Sequence, residues 1–367
     1  MLNLNLRIMR KSQIWSLAML TLFTIGIVFS GCKEDDPPPC TTGDKTELTQ
    51  AIADAQALHD GAVEGTEPGE YLAGSKEALQ ASIDLATEVL NTNCVTQAQL
   101  DAAVVSLNAA VAVFEEQKIT GVEPGALVAH WLFNGDGTDA SGNGHDGVAS
   151  AGHTEWGGGM PELATDRHGN ADYCYKFVDG GNFVVANASV FVPAEMTISV
   201  WMKLYDTWAH SYFFSNDIWN CYKFQVQDAN KPFFTAKITK DDGTGDPAWI
   251  DKDSNTGILD LEKWYQVVLT YKSGAMTFYI DGVKVQFWDD FPTGTLFPPN
   301  PAVDICIGQA LPTDVYTDIP DDPYEWKEWL GYFKGYMDDM RFYNVILTDA
   351  QIVTQYNYEK DNTVTQK

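Results

Sequence analysis

Asp136, Asp139 and Asn143 sit in one Gly-rich segment. Short oxygen-bearing side chains at that spacing are what a loop offers a hard cation such as Ca²⁺, although the same residue types also make turns unaided. A second chemistry is suggested by five tryptophans that fall outside any alternating pattern. Trp208 and Trp219 bracket Asp206–Cys221, Trp249 lies in the acidic stretch Asp241–Asp253, and Trp326 and Trp329 lie in Asp318–Leu330. Loop indoles either cap the edge of a core or lay a flat face against the C–H face of a sugar. Glycoside hydrolysis needs two placed carboxyl groups. The candidates are Glu325 and Glu328 in a Pro/Asp-rich loop, and Asp338-Asp339, adjacent residues expected on opposite faces of a strand. The chain carries no His-Glu-x-x-His, no Gly-x-Ser-x-Gly, no phosphate-binding glycine loop and no cysteine pairs at zinc spacing. Its His residues are scattered, and His130 reads as part of a strand face.

Two regions of different composition must position these groups. From about Asp44 to Lys118 there is no Trp, and Ala is abundant. Leu100, Val104, Leu107, Val111 and Phe114 make one helical stripe, and Thr96 with Gln99 reads as its capping box. Leu79, Ile83, Ala86 and Leu90 make a second stripe opened by Ser75. Leu48, Ile52 and Ala55 make a third, opened by Asp44 and Glu47. The spacing predicts a three-helix bundle over 44–119, followed by a linker at 120–126. From Leu127 onward the period is two. Ile198, Val200, Met202 and Leu204 alternate with Thr197, Ser199, Trp201 and Lys203, and Asp281-Gly282 between apolar alternations signals a hairpin. About ten short strands, with one short helix from Thr348, predict an antiparallel β-sandwich over 127–360. The fold class is therefore multidomain, all-α followed by all-β.

The charge is −28, from 23 Lys+Arg against 51 Asp+Glu. That sign argues against nucleic acid as a partner. Arg7, Arg10 and Lys11 precede an apolar run from Ile14 to Phe29 and then Ser30-Gly31-Cys32, which reads as an export signal over 1–31. An uncleaved membrane anchor is the alternative. The Ser-Gly-Cys ending resembles the lipobox of bacterial lipoproteins, which implies acylation of Cys32 and membrane attachment through the lipid. Residues 32–43, with Lys33-Glu34-Asp35-Asp36 and Pro37-Pro38-Pro39, read as a semi-rigid tether. The acidic run resembles the surface-export signal of Bacteroidetes-type lipoproteins, which places the protein on the outer membrane facing outward. Export permits disulfides, and Cys40 and Cys94 flank the bundle. A bridge between them closes a loop of about 54 residues, worth roughly 4 kcal/mol in the chain-entropy model. Cys174, Cys221 and Cys306 lie in apolar runs, and their odd count leaves at least one free.

The segment Pro68-Gly69-Glu70-Tyr71 with Ser75-Lys76-Glu77-Ala78-Leu79 resembles the FIVAR-type helical repeats of bacterial surface proteins. Further on, Leu127–Phe133, Asp139–Gly147, Thr197–Met202, Trp264–Tyr271, Tyr279–Gly282 and Phe333–Asn344 follow in an order that resembles the laminin-G-like jelly rolls of the concanavalin A-like lectin/glucanase superfamily. That resemblance implies neighbouring first and last strands, which would bring Asp338 toward Asp136, Asp139 and Asn143 around one structural Ca²⁺. It also implies lectin, glycosidase or adhesion roles. Glucanases of this superfamily carry Glu-x-Asp-x-x-Glu on one strand, and no such run exists here. The expected function is therefore non-catalytic binding of a polysaccharide or surface glycan, with the loop tryptophans as contacts. An adhesion or scaffolding protein with a protein partner, such as a neighbouring surface protein, stays open. So does a glycoside hydrolase with non-standard carboxylates.

Overall fold

The computed structural model describes residues 42–65, 68–123, 125–318 and 330–364. The expected signal and tether residues up to 41, with Cys32 and Cys40, lie outside the described residues, as do Glu325, Trp326, Glu328 and Trp329.

Three helices form the N-terminal unit: α1 (Thr46–Gly61), α2 (Ser75–Asn91) and α3 (Gln97–Glu116). The expected stripes meet in one core of Leu48, Ala55, Leu79, Ile83, Ala86, Leu100, Val104, Leu107 and Phe114. Tyr71 closes one end of it, stacked on Phe114 at 4.3 Å. The capping box of Thr96 and Gln99 is formed. Two starts differ from expectation. Gly74, at φ 88°, occupies the N-cap of α2, so Ser75 is its first helical residue. Asp44 stands one residue ahead of the N-cap of α1, where its Oδ1 accepts from the Thr46 backbone N–H at 2.9 Å and hydroxyl at 2.7 Å. Cys94 is disulfide-bonded.

Sixteen strands are found among the described residues. In chain order they begin β1 (Leu127–Trp131), β2 (Gly147–Ser150), β3 (Glu162–Ala164), β4 (Cys174–Phe177), β5 (Asn182–Val185), β6 (Glu195–Leu204), β7 (Ser211–Asn216) and β8 (Tyr222–Gln227). They continue with β9 (Lys231–Lys240), β10 (Pro247–Asp253), β11 (Trp264–Lys272), β12 (Ala275–Ile280), β13 (Val283–Trp288), β14 (Gly294–Leu296), β15 (Ile305–Ile307) and β16 (Gly335–Tyr343). A last helix, α4, spans Asp349–Asp361 and is opened by a Thr348–Gln351 capping box.

The strands make two antiparallel eight-stranded sheets. One runs β13-β12-β11-β6-β16-β4-β3 with β1 on β16; the other runs β10-β9-β8-β7-β15-β5-β2 with β14 on β9. The first and last strands thus meet in the first sheet, where His130 of β1 pairs in register with Arg341 of β16. The sheets pack through inward alternate residues, among them Ile198, Val200 and Met202 of β6, Phe224 of β8, Phe234 of β9 and Phe278 of β12, each at most 0% exposed. Asp281 and Gly282 both adopt positive φ (52° and 73°) in the β12–β13 hairpin, the backbone a two-residue turn of this hand requires.

About ten strands were expected from the sequence; the excess has local causes. β2, β3 and β14 are only three or four residues long. β7 is buried at every position, so it shows no alternation. β10 is an edge strand with exposed residues on one face, and it carries Trp249, which is therefore on a strand rather than in a loop. Cys174, Cys221 and Cys306 are free and buried.

Candidate functional site

Period-two alternation on β8, β9 and β10 divides each strand between the core and an outer face. Tyr222, Phe224, Val226, Phe234, Ala236 and Ile250 face inward. The intervening Lys223, Gln225, Gln227, Phe233, Thr235, Trp249 and Asp251 line an open cleft of about 600 Å³ over the second sheet. Strand register sets the rows. Asp251, Thr235, Lys223 and Ser215 stand in line across β10, β9, β8 and β7, and Phe233, Gln225 and Tyr212 form the next row.

The β7–β8 connection supplies one wall. Asp217 and Ile218 take positive φ (55° and 47°), which turns a short 3-10 segment, Ile218–Asn220, over the sheet end and brings Trp219 to the cleft. Trp249 lies beside it, half-exposed, with its indole N–H donated to the Trp219 carbonyl at 2.8 Å. That bond fixes the ring's edge, and the Lys237 ammonium lies 5.3 Å from the ring centre. Gln225 donates to the Ala209 carbonyl at 2.8 Å, and the Thr235 hydroxyl donates to Asp251 at 2.7 Å. His210 and Asp228 complete the polar lining. Burial, followed by the nearby Lys223 charge, pushes the His210 imidazole below its ordinary value, so it stands neutral at pH 7.

Lys223 is the unusual member. It is 7% exposed. Its ammonium donates to Gln225 Oε1 and sits 4.9 Å from the Tyr212 ring, 4.9 Å from Phe233 and 5.7 Å from Trp219. Burial lowers its pKa to about 8.

Two of the five expected tryptophans, Trp219 and Trp249, therefore come together. Trp208 does not line the cleft; it packs edge-on against Tyr332 at 4.8 Å, with the Lys334 ammonium 4.8 Å from its ring. Sequence reasoning missed Lys223, Gln225, Gln227, Phe233, Thr235 and Asp251. For the five on β8 and β9 the signal was available as the outward half of two alternating strands whose inward half is legible, whereas Asp251 lies on β10, an edge strand without such a signature.

The residues expected around Ca²⁺ do not fit it. Asp139 gives its oxygens to three backbone N–H groups, those of His130 and Ser141 at 2.9 Å and His145 at 3.0 Å. Asn143 turns its amide N–H₂ toward the carbonyls of Leu127 and Val128, presenting a donor where a cation needs oxygen. Asp136 accepts from the Thr138 N–H at 3.0 Å. β1 and β16 are neighbours, but Asp338 is paired with Arg167 instead of joining the loop. Among the described residues no group of three or more His, Cys, Asp or Glu is placed to hold a metal. These side chains organise the turn.

Asp338 and Asp339 do not point to opposite faces. β16 slips register between Asp338 and Arg341, and Asp339 takes φ 51°, so a bulge turns both carboxyls toward the guanidinium of Arg167. They lie under α4, with side chains 5% and 1% exposed, closed to any polymer. Asp339 also pairs with Arg341 at 3.0 Å and takes a bond from His130 Nε2 at 2.6 Å. Glu359 of α4 completes the cluster. It pairs with Arg341 and accepts the Trp201 indole N–H at 2.7 Å and the Gln266 amide at 2.8 Å. Arg167 lies 4.7 Å from the Trp201 ring, which stacks on Tyr356. Three carboxyls thus face two guanidiniums. His130 brings no charge, because burial, then Arg341, lowers its pKa. The missing positive charge is made good by a proton. Asp339 stays ionised, held at about 2 by Arg341 and His130 against burial, whereas burial pushes Asp338 up to about 8.

Comparison with known proteins matches the same two units. Residues 44–114 match the FIVAR domain model, and residues 178–353 match the model of the concanavalin A-like lectin/glucanases superfamily. A gellan lyase from Bacillus sp is 38% identical over 88 residues, 24% of this chain; the chain covers 4% of that relative's length. Among solved structures, domain 4 of AbnA, an extracellular arabinanase from Geobacillus stearothermophilus, in complex with arabinotriose, is 19% identical with a TM-score of 0.43, covering 62% of this chain and 96% of that one. The receptor-binding domain of a botulinum neurotoxin C/D mosaic is 13% identical with a TM-score of 0.42, covering 63% and 50%. The helical unit is thus similar to the FIVAR domain model over residues 44–114, and the β-sandwich to the concanavalin A-like lectin/glucanases model over residues 178–353.

Proposed function

We propose that the sandwich binds carbohydrate, without cleaving it, in the cleft over its second sheet. The observation that supports this most is the lining itself. Trp219, Trp249 and Phe233 offer flat apolar faces, while Gln227, Asp228 and Asp251 offer donors and acceptors in an open trough. Sugars present the same two surfaces, C–H faces and hydroxyl edges, and a trough admits a polymer from the side. Among the described residues, the carboxyls of Asp338 and Asp339 converge but are sealed under α4, which favours binding over hydrolysis.

Trp249→Ala is the direct test, because Trp249 is half-exposed and outside the main core. In affinity gels and calorimetry against a panel of neutral and acidic polysaccharides, the parent chain is expected to be retained by at least one polymer. Trp249→Ala is expected to weaken that binding by about tenfold or more, ~1.4 kcal/mol, with an unchanged melting temperature. Equal retention of Trp249→Ala and Trp219→Ala would remove the reading.

The same proposal places the protein on the outer face of an outer membrane, held by an acylated Cys32. A glycan captured there is presented to neighbouring surface proteins. Cys32→Ala is expected to move the protein from the membrane fraction to the soluble one, and protease treatment of intact cells is expected to digest the parent. Persistence of Cys32→Ala in the membrane fraction would count against the anchor.

A further inference from the structure

Lys223 is a buried cation with no carboxylate in contact among the described residues, although Asp251, further along the same lining, favours its charged form from a distance. Its ammonium has three N–H donors, and one goes to Gln225 Oε1. Around it stand the rings of Tyr212, Phe233 and Trp219, which attract a cation but do not neutralise it. Among the described residues no carboxylate lies within ion-pair distance of it. Leaving a charge 7% exposed and unpaired costs free energy that an apolar side chain of the same length avoids. Yet the ammonium opens on the cleft, where it is the single Lys or Arg of the lining among the described residues.

We propose that Lys223 receives the carboxylate of an acidic sugar, so that the cleft selects a polysaccharide with uronate residues. This rests on the carbohydrate reading of the same cleft. A ligand carboxylate here completes a charge-assisted hydrogen bond in a dehydrated setting, where such bonds are stronger than neutral ones. Asp228 and Asp251, in the same lining, accept sugar hydroxyls and repel a second acid group. The cleft therefore suits a uronate flanked by neutral sugars better than a continuous polyanion. The strongly acidic charge of the whole chain, −28, acts in the same direction, since only a local cation offsets its repulsion.

The test uses glucuronoxylan and hyaluronate, each beside its carbodiimide-reduced form, in which the carboxyls have become primary alcohols. At least one uronate polymer is expected to bind the parent chain, and reduction is expected to weaken that binding by about tenfold or more. Lys223→Met is expected to show the same loss while melting no lower than the parent, because it removes an unmatched buried charge. Lys223→Arg is expected to keep most of the binding, which separates loss of charge from loss of fold. Reduced polymers binding as well as the acidic ones, or Lys223→Met binding as the parent does, would overturn the uronate assignment and leave sugar binding intact. If no polysaccharide, neutral or acidic, is retained, the carbohydrate reading itself falls, and this inference with it.

Discussion

Glu359→Ala is expected to destabilise the sandwich by about 3–5 kcal/mol, the cost of breaking a buried ion pair by deleting one partner. Glu359 is 1% exposed, and its carboxylate is shared by three donors on separate strands. Arg341 of β16, Trp201 of β6 and Gln266 of β11 all terminate on it. Removing the carboxylate leaves an indole N–H and an amide without acceptors and strips Arg341 of one of its two carboxylates. Each buried donor left unmade adds a desolvation penalty of about 1–3 kcal/mol. Since Asp339 still faces Arg341 at 3.0 Å, the loss should not reach the cost of a wholly abandoned guanidinium. Urea unfolding at neutral pH measures it directly. Glu359→Gln keeps the shape and one of the two accepting oxygens, so its loss should be the smaller of the two. A Glu359→Ala change below about 1 kcal/mol would mean that water enters under α4 and replaces the carboxylate.

The second large effect is in pH dependence and belongs to Asp338. A carboxyl raised to about 8 in the folded chain keeps a proton that the unfolded chain, near the ordinary value of 3.8, has already released. Between these values the native state binds more protons than the unfolded state, so this contribution is complete in acid and is lost as pH rises from about 4 to 8. Asp339 has the opposite sign. Held at about 2, it adds stability as pH rises from about 2 to 4. Asp338→Asn keeps the shape without the titration. Its stability relative to the parent is therefore expected to improve steadily from pH 5 to pH 8, with a slope approaching one proton, ~1.4 kcal/mol per pH unit at most. Parallel profiles for the two chains in urea unfolding at both pH values would show that Asp338 is ionised beside Arg167 throughout.

Much of the architecture was legible in the sequence because it rests on periodicity. The stripe from Leu100 to Phe114, the alternation on β6 and the Asp281-Gly282 turn each carry their own local signature, and each was found in place. Strands whose burial is set by partners were not legible. Ser211–Asn216 is covered on both faces, so its sequence does not alternate. Trp249 looked like a loop residue because the acidic stretch around it is an exposed edge strand. The Asp338-Asp339 pair was misread for a different reason. Strand geometry alone sends neighbours to opposite faces, and only a bulge, stabilised by Arg167 from a distant loop, brings them to one side. Similarly, Asp136, Asp139 and Asn143 have the composition of a cation site. Which way their oxygens and N–H groups point depends on His130, Ser141 and the first strand, and those contacts are invisible to composition.

The pairing of β1 with β16 sets an order of events during synthesis. The bond from His130 to Asp339 joins positions 209 residues apart, so the first sheet lacks its neighbour for β1 until almost the entire chain has left the ribosome. At ordinary elongation speeds that interval is on the order of tens of seconds. The helical unit, whose apolar core lies within residues 48–114, is free to finish far earlier. Nascent sandwich therefore spends its elongation with the edge of β1 unsatisfied, a state that invites premature pairing with other chains and makes it a natural client for holding chaperones.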